Sequence, residues 1–158
     1  MKQLLLVRHA TAEPENFQKM DFERELTAHG VSEAEKLAAY MAQHHCKPGF
    51  ILHSPAKRTT QTAGTLVKTL PGCATGESIT LYNANFAVLM SALNGLKHAS
   101  DVVALVAHNP GISQMATALS DSKPYQLAPA AAVLFSFPCA TWQEVKAGMG
   151  KELWYFYP

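Results

Sequence analysis

The chain has 158 residues, with 13 Lys plus Arg against 12 Asp plus Glu, so its formal charge is +1 at pH 7. A balance this close to neutral gives no electrostatic case for nucleic acid or an anionic membrane as partner. Charged residues make up 16% and hydrophobic residues 48%, which excludes intrinsic disorder and suffices for the core of one domain spanning residues 1–158.

Three cysteines, Cys46, Cys73 and Cys139, stand far apart. An odd count without a C-x-x-C pair argues against a disulfide framework and a structural zinc site, and suits a reducing cytoplasm. The apolar run Leu4 to Val7 meets Arg8-His9 too soon to form a signal-peptide core, and no later stretch is long and apolar enough to span a bilayer. A cytoplasmic protein without a membrane segment is the expectation.

Gln3 to Val7 reads as a strand buried on both faces. After a polar connection over Thr11 to Arg24, Val31, Ala34, Leu37, Ala38 and Met41 recur at helical spacing. Thr27, or Ser32 with Glu35, are alternative starts for this helix, and Lys47-Pro48-Gly49 stops it. Phe50 to Leu52 is a second strand. Ser54-Pro55 predicts an N-cap followed by proline at the first helical position, with a helix running towards Leu70 and halted by Pro71-Gly72. Ile79 to Tyr82 is the candidate third strand, after which Asn85 caps a helix with Phe86, Leu89, Met90, Leu93 and Leu96 on one face.

Asp101 to Ala107 is the clearest buried strand, and Asn109-Pro110 starts a helix that turns Ile112, Met115, Ala116 and Leu119 inward. Ala132 to Phe137, Thr141 to Lys146 and Leu153 to Phe156 then read as strands of an antiparallel meander, with Trp142, Trp154 and the Tyr155-Phe156-Tyr157 cluster packing them. The alternation predicts one α/β domain with helices on both faces of its sheet.

Ligands of open α/β sheets bind beyond the carboxyl ends of the strands. Three apolar runs end in chemistry-bearing residues there: Arg8-His9 after the first, Ser54 to Arg58 after the second, and His108-Asn109 after the run at Asp101 to Ala107. Two guanidinium forks can hold phosphate oxygens while helix N-termini add N–H donors, which makes an anion site. An imidazole inside it is a nucleophile beside a charge-neutralised phosphorus, and a second, cationic imidazole can stabilise the transition-state oxygens. No metal is needed for either role.

These segments, LLLVRHATA, RELTAHG, HSPAKRTTQTA and VAHNPG in this order, resemble the histidine phosphatase superfamily, also called phosphoglycerate mutase-like. R-x-L-T-x-x-G over Arg24 to Gly30 and the short length look most like its SixA branch of phosphohistidine phosphatases. The resemblance implies a single three-layer α/β/α domain with a mostly parallel sheet and a cofactor-independent phosphatase. It makes His9 the phosphorylated nucleophile, acting through the ring nitrogen remote from the backbone, with Arg8 and Arg58 as holders of the phosphoryl oxygens and His108 completing the pocket. Arg24 would line the substrate cleft, and Asn109 would contribute mainly its backbone N–H. Position 10 is Ala where the superfamily motif has Gly, a change tolerable in the SixA-like branch.

In ester-hydrolysing relatives the stretch matching Leu81 to Asn85 generally carries a proton-donating carboxylate; here it has no Asp or Glu. An alkoxide leaving group has a conjugate acid about as weak as water, pKa ~15.7, and needs a proton. Imidazole, with a conjugate-acid pKa of ~6.5, departs more readily, so the expected substrate is a phosphohistidine on a phosphotransfer domain or carrier protein, with phosphate as product. Among loop carboxylates, Glu13 is the candidate assistant, whereas Glu15, Asp21 and Glu23 read as solvated charges.

Thr62, on the Arg58 face of its helix, would orient the guanidinium or bond the backbone. His29, His44, His45, His53 and His98 read as surface or helix-end residues, and a monomer is expected. A small-molecule phosphomonoesterase of the same superfamily, or a non-catalytic phosphoprotein-binding module, are the alternatives. No cysteine has an arginine six residues on, and no G-x-G-x-x-G, P-loop, H-E-x-x-H or G-x-S-x-G occurs.

Overall fold

The computed structural model describes residues 1–16, 18–97 and 100–158. A six-stranded sheet is built from β1 (Lys2–Arg8), β2 (Phe50–His53), β3 (Ala74–Glu77), β4 (Val102–Ala107), β5 (Ala132–Phe137) and β6 (Lys151–Phe156), in the order β3-β2-β4-β1-β5-β6. The first four of these strands in spatial order are parallel, and β5 and β6 add an antiparallel edge. Alternate residues feed two cores: Leu4 and Leu6 of β1 face one, Leu5 and Val7 the other. Helices α1 (Ala28–Gln43) and α2 (Lys57–Val67) cover the second, while α3 (Phe86–Asn94) and α4 (Gly111–Leu119) cover the first. This is the three-layer α/β/α arrangement, and the crossover helices bury the central strands on both faces.

Local departures from the sequence reading have physical causes. Thr27 caps α1, its side chain accepting from Gly30 N at 3.0 Å. The helix stops at Gln43, ahead of Lys47-Pro48-Gly49, because His45 takes φ 54° and the N–H groups of His45 and Cys46 bond the carbonyls of Ala42 and Met41. That is a Schellman closure with histidine in glycine's usual place. Val31 lies outward at 39% exposure, and the inward face is carried by Ala34, Leu37, Ala38 and Met41. Helix α2 starts at Lys57, with Ala56 as its N-cap residue. Ser54 instead accepts from Ala56 N at 3.2 Å.

The third strand is Ala74–Glu77, an exposed edge too polar to stand out, while Ile79–Leu81 is a 3₁₀ turn. Thr141 to Lys146 is no strand either: Thr141 and Glu144 form a capping box around a 3₁₀ turn that buries Trp142. Trp154 and Phe156 pack on Tyr40 of α1, at ring separations of 5.2 and 5.0 Å. His29 pairs with Glu33 at 3.1 Å and His44 stacks on Tyr40 at 4.0 Å. His53 is buried, contrary to the surface reading, with Nδ1 2.8 Å from Ser54 O. His98 lies outside the described residues. No helix among the described residues is long and apolar enough to cross a membrane.

Two glycines set backbone approaches that fix the rim of the sheet. A Cβ on Gly30 would sit 2.0 Å from the carbonyl oxygen of Thr11, and one on Gly111 1.8 Å from that of Ala84. The first clamps α1 against the loop leaving β1, where the Thr27 hydroxyl also donates to Thr11 O at 3.3 Å; R-x-L-T-x-x-G is in this respect a loop clamp. Gly30→Ala should lower stability by about 2 kcal/mol or more, because neither backbone can yield without disturbing the other. Urea denaturation checks this, and an unchanged midpoint would contradict it.

Candidate active site

Strands β1, β2 and β4 end side by side, with Arg8 opposite Ala107 and His53 opposite Val106. Arg8, His9, Arg24, Arg58, His108 and Asn109 all line one pocket of about 250 Å³ there, joined by Glu15, Asp21 and Asn83. The sequence singled out the first six, and the fold brings all of them together.

His9 Nδ1 lies 2.8 Å from the carbonyl oxygen of its neighbour Ala10. A carbonyl only accepts, so Nδ1 carries the proton and Nε2 keeps its lone pair free. Ala10 is itself held, its N–H donating to Thr62 Oγ1 at 3.1 Å while Thr62 donates to Arg58 O at 2.7 Å. Thr62 therefore ties the loop after β1 to the first turn of α2 through backbone groups and leaves the guanidinium alone. The rings of His9 and His108 stand 5.3 Å apart.

Arg58 is 3% exposed. Its Nη1 donates to Asp21 O at 2.7 Å, and its Nη2 to Asp21 Oδ2 at 3.1 Å and His108 Nδ1 at 3.2 Å. Arg8 donates from Nη1 to Leu127 O at 3.1 Å. Both arginines keep a buried Nε–H with no acceptor among the described residues, a costly state that an anion in the pocket would relieve. Arg24 is fixed by Glu13 O at 2.6 Å and by Asp21 Oδ1 at 2.7 Å.

Burial pushes His9 down to about 4, with Arg58 and Arg8 adding to this against the Ala10 hydrogen bond. Burial, then His9 and Arg58, push His108 down to about 3. Since His108 Nδ1 accepts from Arg58 and its Nε2 faces Ser54 Oγ at 2.8 Å, this ring is held in its neutral form. Burial first, with the charged groups nearby adding to it, makes a further positive charge on His108 unfavourable.

The carboxylates also differ from expectation. Glu13 is paired with Lys19 at 2.6 Å and does not line the pocket, whereas Glu15 and Asp21 do. Although burial opposes its ionisation, hydrogen bonds from Tyr82 and Arg24, with Arg58 beside them, hold the Asp21 carboxyl well below the usual range. Ser54, Asp21 and Tyr82 also stand at the site without a clear mark in the sequence: Ser54 has the pattern of a helix cap, nothing local distinguishes Asp21 from its acidic neighbours, and Tyr82 ends a strand-like run.

Asn109 sits two residues before α4, so its N–H is not part of the helix start. Its side chain instead bridges Leu127 O at 2.9 Å and Ser113 Oγ at 2.6 Å. Among the described residues, no three His, Cys, Asp or Glu side chains form a group able to hold a metal ion.

An unfolded histidine titrates near ~6.5, so the unfolded chain takes up protons at His9 and His108 before the folded one does. Stability should fall as pH drops from about 6.5 through about 4 for His9 and about 3 for His108, and recover as pH rises. Ring-proton NMR of the ligand-free protein should find both imidazoles neutral at pH 6; midpoints near 6.5 would contradict this.

Residues 4–75 match the family model of the histidine phosphatase superfamily, branch 1. No curated protein sequence matches the chain. Among solved structures, the SixA protein of Agrobacterium tumefaciens superposes with a TM-score of 0.83 at 23% identity, over 99% of this chain and 98% of that one. The protein histidine phosphatase SixA in complex with tungstate gives 0.79 at 20% identity, over 97% and 95%. A phosphoserine phosphatase from Entamoeba histolytica gives 0.69 at 15%, over 100% and 98%. The likeness in fold thus extends over the whole chain, and the matched segment carries Arg8, His9, Arg24 and Arg58. The chain thus carries a segment that matches the histidine phosphatase superfamily model, and its whole length shares the fold of the SixA structures.

Proposed function

We propose that this protein is a cytoplasmic phosphohistidine phosphatase of residues 1–158, acting on a phosphorylated histidine of a partner protein through a phosphohistidine at His9. The observation that carries the reading is His9, with Nδ1 tied to Ala10 O and Nε2 free in a pocket shared with Arg8, Arg58 and His108.

In this mechanism Nε2 attacks phosphorus in line and the bond to the leaving imidazole nitrogen breaks. The leaving ring departs neutral when its other nitrogen is protonated. The new phosphohistidine keeps its Nδ1–H on Ala10 O, and water then attacks phosphorus to release phosphate and free Nε2. Arg8 and Arg58 hold the phosphoryl oxygens, their unpaired Nε–H groups finding acceptors there. His108 orients Arg58, and the charge of an arriving phosphoryl group raises its affinity for a second proton. Arg24 lines the cleft, and Asn109 contributes through side-chain bonds that join the pocket wall to Leu127 and Ser113.

The phosphohistidine preference is supported by what surrounds the leaving group. Tyr82 and Asn83 occupy the stretch where a donor carboxylate is lacking, and Asp21 is held ionised by three donors. General acid help is worth roughly 10²–10⁴ in rate, so its lack weighs far more on alkyl esters than on a protonated phosphoimidazole. A groove of about 460 Å³ along α4, lined by Pro110, Gln114, Thr117 and Gln126, shares Asn109 with the pocket and leaves room for polypeptide around the phosphorylated residue. The SixA likeness points the same way. Three free thiols suit a reducing compartment.

A small-molecule phosphomonoesterase is the second reading, favoured by the shared fold with phosphatases of phosphoserine and of glucosyl-3-phosphoglycerate. Steady-state hydrolysis separates the two. A phosphohistidine protein should exceed alkyl phosphates in kcat/KM by about 10² or more, and Arg58→Ala should lower kcat/KM by a similar factor. Equal or better turnover of a sugar or serine phosphate would contradict the phosphohistidine assignment, and phosphoprotein binding without phosphate release would indicate a binding module.

A further inference from the structure

A carboxylate stands inside a pocket otherwise built to attract an anion. Charge alone would argue against Asp21 there, since a phosphoryl dianion must approach it. Its contacts assign it another part. Asp21 Oδ1 accepts from Arg24 Nη1 at 2.7 Å, and Oδ2 accepts from Arg58 Nη2 at 3.1 Å and from the Tyr82 hydroxyl. Its main-chain carbonyl takes Arg58 Nη1 at 2.7 Å. Two segments outside its own loop thus converge on it, the start of α2 and the turn at residues 79–82, and Arg24 joins it from within that loop. Tyr82, held this way, stands edge-on to His108 at 5.5 Å and 6.0 Å from the Arg58 guanidinium.

The geometry of the fork makes this specific. A guanidinium has an outer edge, made by Nη1–H and Nη2–H, and a side edge, made by Nε–H and the other Nη2–H. Asp21 closes the outer edge of Arg58 with two acceptors. The side edge remains, with Nε–H unpartnered and the second Nη2–H resting on His108 Nδ1 at 3.2 Å.

We propose that Asp21 is a positioning residue: by occupying the outer edge of Arg58 and pinning Arg24, it leaves the Arg58 side edge as the one presented to the phosphoryl group beside His9. The proposal rests on the phosphoryl-transfer reading of the pocket. Asp21 touches no reacting atom in this account. Its carboxylate opposes anion affinity somewhat and contributes alignment, so its removal should separate binding from turnover.

The test uses Asp21→Asn, whose side chain has one acceptor oxygen where the carboxylate has two, so that Arg24 and Arg58 cannot both be held. In the ¹⁵N-labelled wild type, inorganic phosphate should shift the Arg58 Nε–H resonance as it gains an acceptor. In Asp21→Asn that shift should be reduced or averaged. Turnover of a phosphohistidine protein should fall about tenfold or more in kcat, while inorganic phosphate binds as tightly as in the wild type or several-fold more tightly. Asp21→Glu should recover part of kcat, and it serves as the variant if Asp21→Asn does not fold.

A purely structural role would reduce the folded fraction while leaving the phosphate affinity and the Nε–H shift of the folded protein as they were. That result, or a kcat within twofold of wild type, would overturn the proposal, as would a loss of phosphate affinity in proportion to kcat. If the wild type releases no phosphate from phosphohistidine, the proposed function fails, and the phosphate titration of Arg58 Nε–H still decides the part played by Asp21.

Discussion

The structure depends above all on burying positive charge at the carboxyl end of its sheet with part of its hydrogen-bonding capacity unmet. Arg58 is almost wholly inside the protein, Arg8 reaches the same pocket, and each retains an Nε–H without an acceptor. Such groups are unfavourable unless something satisfies them. Asp21, Leu127 O and His108 supply part of what is needed, and a tetrahedral oxyanion would supply the rest. Burial, with the same field adding to it, disfavours a charge on both imidazoles, and the neutral form is the one in which His9 can act as a nucleophile.

The rest of the fold holds that arrangement in register. β1 lies between β4 and β5, with Leu4, Leu5, Leu6 and Val7 fully buried, so its carboxyl end is as rigid as the core. From there the positions pass by short links: Ala10 N to Thr62, Thr62 to Arg58 O, Thr59 to the carbonyls of Ser54 and Ala56, and Ser54 to His108. Small side chains and backbone carbonyls carry these links, so the chemically active groups stay available to a ligand.

Much of this is legible in the sequence, for reasons that differ by element. The runs Leu4 to Val7 and Asp101 to Ala107 declare central strands because burial on both faces demands continuous apolar sequence. The polar residues following them had to emerge at one rim, which is why Arg8, His9, Arg58 and His108 could be brought together from spacing and resemblance. Edge and turn elements were less legible. Ala74–Glu77 has too little apolar pattern to show as a strand, the Thr141 to Glu144 capping box overrode a β-like composition, and His45 took a left-handed conformation that usually marks glycine. Asp21 and Glu13 look alike in the sequence; what separates them is the cations they meet, Arg24 and Arg58 for the one and Lys19 for the other. That distinction is tertiary.

The central claim is that His9 takes the phosphoryl group itself. Quenched-flow mixing with a carrier protein labelled on its phosphohistidine measures this directly, following free phosphate together with acid-labile, base-stable label on this protein, in the wild type and in His9→Ala. The account predicts label that appears on His9 before phosphate is released and then decays, with both signals lost in the variant. Phosphate release at the wild-type rate from His9→Ala, or release without label ever reaching the protein, would contradict it.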